Sequence, residues 1–179
     1  MTPTHPHVGT LRLLLTLDCN LSCDYCCNEL PAINTHFQEK SLEKIVWDGY
    51  DNICLTGGEP FKAREQLYAI LDLIPDEIPL YLYTNGLLVT FDDVMQLMTY
   101  PNLAGINVGL HTVPQARFLH TGLSYLPVRY HIEESKVQAM QQAHPWLVDE
   151  LIHPWTRDNC TMPNEDWVLL TKKGQIHGT

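Results

Sequence analysis

The stretch Cys19-Asn-Leu-Ser-Cys23-Asp-Tyr-Cys26 places three cysteines at CxxxCxxC spacing. Three thiolates in this arrangement can each hold one iron of a [4Fe–4S] cluster and leave the fourth iron without a protein ligand. The stretch follows Leu11-Arg-Leu-Leu-Leu-Thr-Leu17, an apolar run of the length of a strand. The pattern therefore predicts a strand followed by a loop that carries an iron–sulfur site open to a further small ligand.

A second motif, Thr56-Gly57-Gly58-Glu59-Pro60, follows another strand-like run about thirty residues downstream. Helical spacing of apolar residues continues after it, at Leu67, Ile70, Leu71 and Ile74. Because proline is favoured in the first turn of a helix, Pro60 can open that helix. The glycines allow close approach of the backbone to a neighbour, so the loop is a candidate ligand-binding loop at a second strand end.

Other interpretations of the cysteines remain open on the residues alone. A zinc site could use the three cysteines with Cys27, although the adjacent Cys26 and Cys27 point their side chains apart and would strain a closed tetrahedron. An electron-transfer ferredoxin needs a fourth cysteine, for which Cys54 and Cys160 are the candidates. The ferredoxin interpretation leaves the Gly-Gly-Glu-Pro loop without a function.

The two motifs together resemble the radical S-adenosylmethionine (SAM) enzymes. The resemblance implies that Cys19, Cys23 and Cys26 hold the cluster and that SAM chelates the open iron. An electron from the cluster then splits SAM into methionine and a 5′-deoxyadenosyl radical. It also implies an electron donor such as flavodoxin or ferredoxin.

Strand-like and helix-like segments alternate along the chain, which predicts an α/β fold with a parallel sheet. Six βα units would form a partial (βα)6-type TIM barrel, since a closed eight-fold barrel needs about 250 residues. We expect one domain over residues 1–179, with the main units in 11–143 and an extension over 144–179 that completes or caps the sheet. That extension ends in a predicted hairpin over 168–176. Strands are predicted near 11–17, 52–56, 79–84, 104–110, 126–133 and 148–152, and helices near 39–48, 62–74, 91–99, 113–119 and 134–143.

Charge and composition argue against a nucleic-acid-binding, membrane-spanning or secreted protein. The net charge is −10, and the 11 Lys and Arg are scattered apart from one Lys-Lys pair, so direct binding to nucleic acid is disfavoured. No apolar run reaches the roughly 18 residues of a membrane span, and no secretory signal is recognised. Six cysteines without a disulfide pattern indicate thiols that are reduced or bound to metal, as in the cytosol.

The resemblance assigns further residues around SAM. Tyr25 would pack on the adenine, although a loop aromatic can instead cap the core. Gly57, Gly58, Glu59 and Pro60 would form the loop that binds the SAM amino group, with Glu59 as the charged contact.

Two more strand ends contribute to the expected site. Thr84 and Asn85, in a Thr-Asn-Gly segment, are expected to face SAM, although Asn-Gly is also typical of any tight turn. In the next strand the family's usual serine is replaced by Gly109. The glycine could make room for substrate, or Asn107 or His111 could supply the missing polar contact.

Catalytic candidates come from the last third of the chain. Arg129 could hold the SAM or substrate carboxylate, with His131 on the same face of its strand. The alternative is an edge strand with its polar face in water. Cys160 is a third candidate, although a lone cysteine is more often simply buried.

Two His-Pro-Trp segments, at 144–146 and 153–155, either line a substrate pocket or fix the tail over the barrel. The substrate expected from the resemblance is a nucleoside, a nucleobase or a related small metabolite. The alternatives are an activating enzyme that installs a glycyl radical on a protein partner, and a non-catalytic iron–sulfur electron carrier.

Overall fold

A computed structural model describes residues 8–23, 26–29, 37–116, 123–156 and 164–171. Its centre is a sheet of eight strands in the order β2-β8-β1-β3-β4-β5-β6-β7, and every neighbouring pair is parallel. This architecture confirms the α/β class and the partial barrel with a parallel sheet, with two strands more than predicted. The strands are β1 (Val8–Leu14), β2 (Gln38–Lys40), β3 (Tyr50–Thr56), β4 (Leu80–Thr84), β5 (Leu103–Leu110), β6 (Val128–Glu133), β7 (Ile152–Trp155) and β8 (Glu165–Leu170).

The helices are short and lie between the strands. They are α1 (Arg64–Leu71), α2 (Phe91–Leu97) and α3 (Val137–Ala143), and residues 113–116 are also helical. The rest of the helix predicted over 113–119 lies outside the described residues. No helix in the described part of the chain is both long and apolar enough to cross a bilayer.

The helix predicted near 39–48 is wrong. Residues 38–40 form β2, and only a single 3-10 turn, Leu42–Lys44, follows. Leu42 and Ile45 still pack against the core, which explains the helix-like spacing of this segment. Pairing of β2 with β8 decides its conformation instead, because tertiary contacts override a weak local preference.

The first turn of α2 is fixed by Asp93, which is 3% exposed. Its side chain and that of Thr90 form a reciprocal capping box, in which each side chain binds the other residue's backbone N–H. Arg64 of α1 donates Nε and Nη2 to the two oxygens of the same carboxylate, each at 2.9 Å. Tyr68 adds a hydroxyl donor at 2.8 Å, so Asp93 ties two helices together.

The two faces of the sheet differ in chemistry. The outer face carries the apolar residues of alternating positions, such as Leu13, Leu55, Leu82 and Ile106, and these are buried under the helices. The other face carries polar and aromatic side chains, beginning with Arg12 on β1. Among the described residues, the main hydrophobic core therefore lies on the outer side of the sheet, and much of the inner face lines a cavity.

The last strand, β8, comes from the C-terminal part of the chain. It lies between β2 and β1 and is parallel to both. Both edges of β8 are thus occupied, so the first arm of the predicted 168–176 hairpin has no free edge for a second arm. Residues 172–179 lie outside the described residues.

Candidate active site

A cavity of about 300 Å³ opens at the C-terminal ends of the strands and continues down the inner face of the sheet. Active sites of parallel barrels lie at this end because the strand-to-helix loops converge there. Ten of the predicted site residues line this cavity: Cys19, Cys23, Cys26, Gly57, Gly58, Thr84, Asn85, Asn107, His111 and His131.

The Gly-Gly-Glu-Pro loop is attached to the chain just before Cys19. The N–H of Gly58 donates to the carbonyl of Thr16 at 2.7 Å, and the N–H of Glu59 donates to the carbonyl of Asp18 at 2.8 Å. A Cβ at Gly58 would lie 2.1 Å from the Asp18 oxygen, and Gly57 has φ 139°, where side chains are strained. Both glycines thus allow the loop to pack on the segment that carries the first cysteine.

Glu59 is fully buried, with 0% of its surface exposed. Its Oε1 accepts from the Thr84 hydroxyl at 2.7 Å and from the N–H of Phe61 at 3.1 Å, and Oε2 accepts from the N–H of Asn85 at 2.8 Å. Burial raises the pKa of Glu59, and these hydrogen bonds oppose the shift. The carboxylate therefore holds the end of β4 against the loop after β3.

Asn85 continues this connection to the cysteine loop. Its side-chain nitrogen donates to Oδ1 of Asn20 at 2.8 Å and lies 3.9 Å from Sγ of Cys19. Its backbone carbonyl accepts from Gln115 at 2.7 Å. One buried side chain at the end of β4 thus contacts the loop that carries the first cysteine, although β3 lies between β4 and β1 in the sheet.

The three cysteines fit an iron–sulfur cluster. Cys19, Cys23 and Cys26 are not joined in disulfides, have intermediate exposure, and all three line the cavity. Among the residues that the structure describes, no three Cys, His, Asp or Glu side chains are placed to hold a single metal ion. A [4Fe–4S] cluster instead spreads its thiolate ligands over separate irons. Cys54, a candidate fourth ligand, is buried on β3 and outside the lining, and burial raises the pKa of its thiol to about 11.

Gly109 stands where the family's usual serine was expected, and His111 explains its absence. A Cβ at Gly109 would lie 2.9 Å from Nε2 of His111, so the imidazole folds back over the glycine. Burial lowers the pKa of His111, with Lys136 adding to the shift. His111 thus brings an uncharged polar ring to the cavity beside the position of the missing hydroxyl.

His131 and Asn107 form a buried pair on the inner face. Nε2 of His131 lies 2.9 Å from Oδ1 of Asn107. Burial and the nearby His153, Arg129 and Arg12 lower the pKa of His131 to about 3. The ring is therefore neutral at physiological pH and donates from Nε2 to the Asn107 carbonyl.

Other predicted residues do not reach the cavity. Pro60 is buried at the start of a 3-10 turn, and neither it nor Glu59 is in the lining. Arg129 is exposed and outside the lining, although it lies in register with Asn107. Its strand is not an edge strand, because β6 pairs on both sides. Contacts of Glu59 and Arg129 with SAM stay predictions, and Tyr25 and Cys160 lie outside the described residues.

The two His-Pro-Trp segments have different environments. His144 is 5% exposed and its Nε2 lies 2.7 Å from the carbonyl of Val113, and Trp146 packs edge-on against Tyr130. His153 and Trp155, in contrast, line the cavity. The first segment therefore fixes the tail, and the second lines the pocket.

Several residues that line the cavity were not predicted from the sequence, among them Arg12, Tyr83 and Trp167 on the sheet. The one available signal was Arg12 itself, a lone cation inside an otherwise apolar strand. Its partner Glu165 is 153 positions away and could not be recognised from local pattern.

Comparison with known proteins decides the family. The sequence model of the radical SAM superfamily matches residues 13–140. The chain belongs to the radical SAM superfamily. This membership confirms the resemblance and its cofactors, since enzymes of the superfamily use a [4Fe–4S] cluster and SAM.

The radical SAM chain is also similar to curated proteins. A GTP 3′,8-cyclase of Syntrophomonas wolfei is 33% identical over 185 residues, which cover 96% of this chain and 54% of that protein. A probable GTP 3′,8-cyclase of Pyrococcus horikoshii is 33% identical over 125 residues, or 66% of this chain and 40% of that protein. Molybdenum cofactor biosynthesis protein 1 of Drosophila melanogaster is 33% identical over 125 residues, or 63% and 21%. The chain thus spans about half or less of these relatives' lengths.

Proposed function

We propose that this protein is a radical SAM enzyme that acts on a small, nucleotide-related substrate in a reducing compartment. The observation that carries the proposal is that one cavity is lined both by the three cysteines and by polar and aromatic side chains of the inner face of the sheet. When bound, the cluster supplies the electron that cleaves SAM reductively. The relatives named for GTP support the substrate class.

Some residues of the chain would orient the cluster and SAM, and others would shield the reaction from competing hydrogen donors. Cys19, Cys23 and Cys26 would hold the cluster, and the backbone of Gly57 and Gly58, with Thr84 and Asn85, would form the adjoining surface for SAM. Buried Glu59 holds the two strand ends in register. The inner wall would place the substrate below these groups and exclude competing hydrogen donors.

Anaerobic reconstitution with iron and sulfide, followed by dithionite and SAM, tests the proposal. We expect 5′-deoxyadenosine by chromatography, and loss of both bound iron and product in Cys19→Ala, Cys23→Ala and Cys26→Ala. Cys54→Ala is the matched control and should retain both, because Cys54 lies outside the cavity lining. A loaded cluster without SAM cleavage would instead support an electron carrier.

A further inference from the structure

Five flat side chains form a continuous row across the inner face of the sheet. The planar row consists of Trp167 on β8, Arg12 on β1, Tyr83 on β4, His131 on β6 and His153 on β7. The guanidinium carbon of Arg12 lies 4.9 Å from the ring centre of Trp167 and 4.8 Å from that of Tyr83. The His131 ring centre is 5.5 Å from Tyr83 and 4.6 Å from His153.

Arg12 and His131 bring little net charge to the planar row. Arg12 donates from Nε and Nη2 to both carboxylate oxygens of Glu165, at 3.0 and 2.7 Å, so its charge is matched inside the wall. His131 is held neutral by its burial. Among the described residues that line the cavity, Arg12 is the one Lys or Arg.

A wall of this kind suits a flat, uncharged ring. Nucleobases stack on aromatic, imidazole and guanidinium planes because every base presents a π face. Asn107 adds a polar side chain to the lining: its carbonyl accepts from His131, and this bond does not use its NH2 donors.

The same wall does not suit a triphosphate. Phosphate groups are recognised by lysine or by forked arginine donors, and the Arg12 fork is already taken by a carboxylate. The strongly negative net charge of the chain, −10, adds repulsion.

We infer that the planar row is the substrate subsite and that it binds an uncharged heteroaromatic ring, a nucleobase or nucleoside, without recognition of phosphate. This inference rests on the proposed function and names its substrate class. It separates this chain from the relatives named for GTP, although they share its family.

Calorimetric titration of the reconstituted protein with SAM present tests the inference. The probes are guanosine, adenosine, cytidine and uridine, each compared with its 5′-triphosphate. We expect at least one nucleoside to bind about tenfold or more tightly than its triphosphate, since like charges disfavour the latter. Its affinity should change little between low and high salt, because no ion pair forms. Tighter binding of the triphosphates, or binding of none of the nucleosides, would overturn the inference.

Three variants of β7 locate the ring. His153→Ala should weaken nucleoside binding about tenfold, the scale of a lost base-stacking side chain. His153→Phe keeps a flat ring and should retain most of the affinity. Pro154→Ala is the matched control, because Pro154 is exposed, lies outside the lining and alternates to the other face of the strand. Equal affinities in all three would place the ring elsewhere and refute the subsite.

Failure of the inference differs from failure of the proposed function. Formation of 5′-deoxyadenosine without nucleoside binding would leave the radical SAM assignment intact and remove the planar row as the subsite. Nucleoside binding without SAM cleavage would support the planar row as the subsite and contradict the proposed reaction with SAM.

Discussion

The side-chain nitrogen of Asn85 lies 3.9 Å from Sγ of Cys19, across the gap between the ends of β4 and β1. A donor at this place stabilises negative charge on the sulfur, and the reduced form of a cluster carries more of that charge. Hydrogen bonds to the sulfurs are one of the factors that set cluster potentials. Asn85 is therefore expected to make the cluster easier to reduce.

Asn85→Ala should accordingly shift the cluster's reduction potential to a more negative value at unchanged iron content. A redox titration followed by electron paramagnetic resonance measures the shift. Asn102→Ala is the control, since this buried amide binds the carbonyls of Pro75 and Ile78 and lies outside the cavity lining. Identical potentials for wild type and Asn85→Ala would contradict the expectation.

Gly58→Ala should prevent cluster assembly. The added Cβ would lie 2.1 Å from the Asp18 oxygen, so the segment that leads to Cys19 must move. Gly49→Ala serves as the comparison, because Gly49 has a positive φ of 93° but nothing within 4 Å of its Cβ position. That variant should lose only about 1–3 kcal/mol to backbone strain and still bind iron. Iron analysis and the cluster's visible absorbance distinguish the two, and full loading of Gly58→Ala would refute the explanation.

The neutral state of His131 predicts a pH dependence of stability. Its pKa is about 3 in the fold and 6.5 in the unfolded chain, so below pH 6.5 the unfolded state binds a proton that the folded state does not. Stability should therefore fall as pH drops from 6.5, by up to about 1.4 kcal/mol per pH unit.

Urea unfolding between about pH 7 and pH 5 isolates this contribution, since most carboxylates stay ionised there. His131→Gln cannot titrate and should give a flatter profile, while His111 contributes equally to both proteins. Parallel profiles would show that the fold does not lower the pKa of His131.

Asp93→Ala should destabilise the fold by about 2–4 kcal/mol, because it removes a helix cap and a charged hydrogen-bond network at once. Asp92→Ala, at the exposed neighbouring position, should cost less than about 1 kcal/mol. Denaturant unfolding gives both values. Iron loading at low temperature should be unchanged in each, since neither residue lines the cavity. Equal losses in the two variants would contradict the network.

Local pattern was sufficient for the parts of the fold that depend on periodicity. The strands from β1 through β6, other than β2, and the three α-helices were predicted near their observed positions, because each buries an apolar face at a regular spacing. β2 was not, since it has three polar residues. For β8 only the first arm of a hairpin over 168–176 was predicted, and its pairing with β1 and β2 was not, because those strands are far away in sequence. The cysteine loop of the site was likewise predicted, because the CxxxCxxC spacing alone indicates three ligands of an iron–sulfur cluster.

The inner wall could not be predicted in the same way. Arg12, Tyr83 and Trp167 meet only after the sheet has curved, and each alone resembles an ordinary strand residue. Glu59 is the opposite case, because its motif is evident in the sequence and predicted a contact with SAM. In the structure its carboxylate has three hydrogen-bond partners within the protein. A sequence motif identifies a loop more reliably than it identifies which atoms of the loop face the ligand.

The position of β8 beside β1 has a consequence for the order of assembly during translation. The cysteine loop and its supports come from residues up to Asn85, whereas Glu165 and Trp167, which fix Arg12, are synthesised about 80 residues later. Such distant pairings form slowly because a long loop must close first. The iron-binding end can therefore take shape on the ribosome before Arg12 receives its partners Glu165 and Trp167, and the inner wall is completed last.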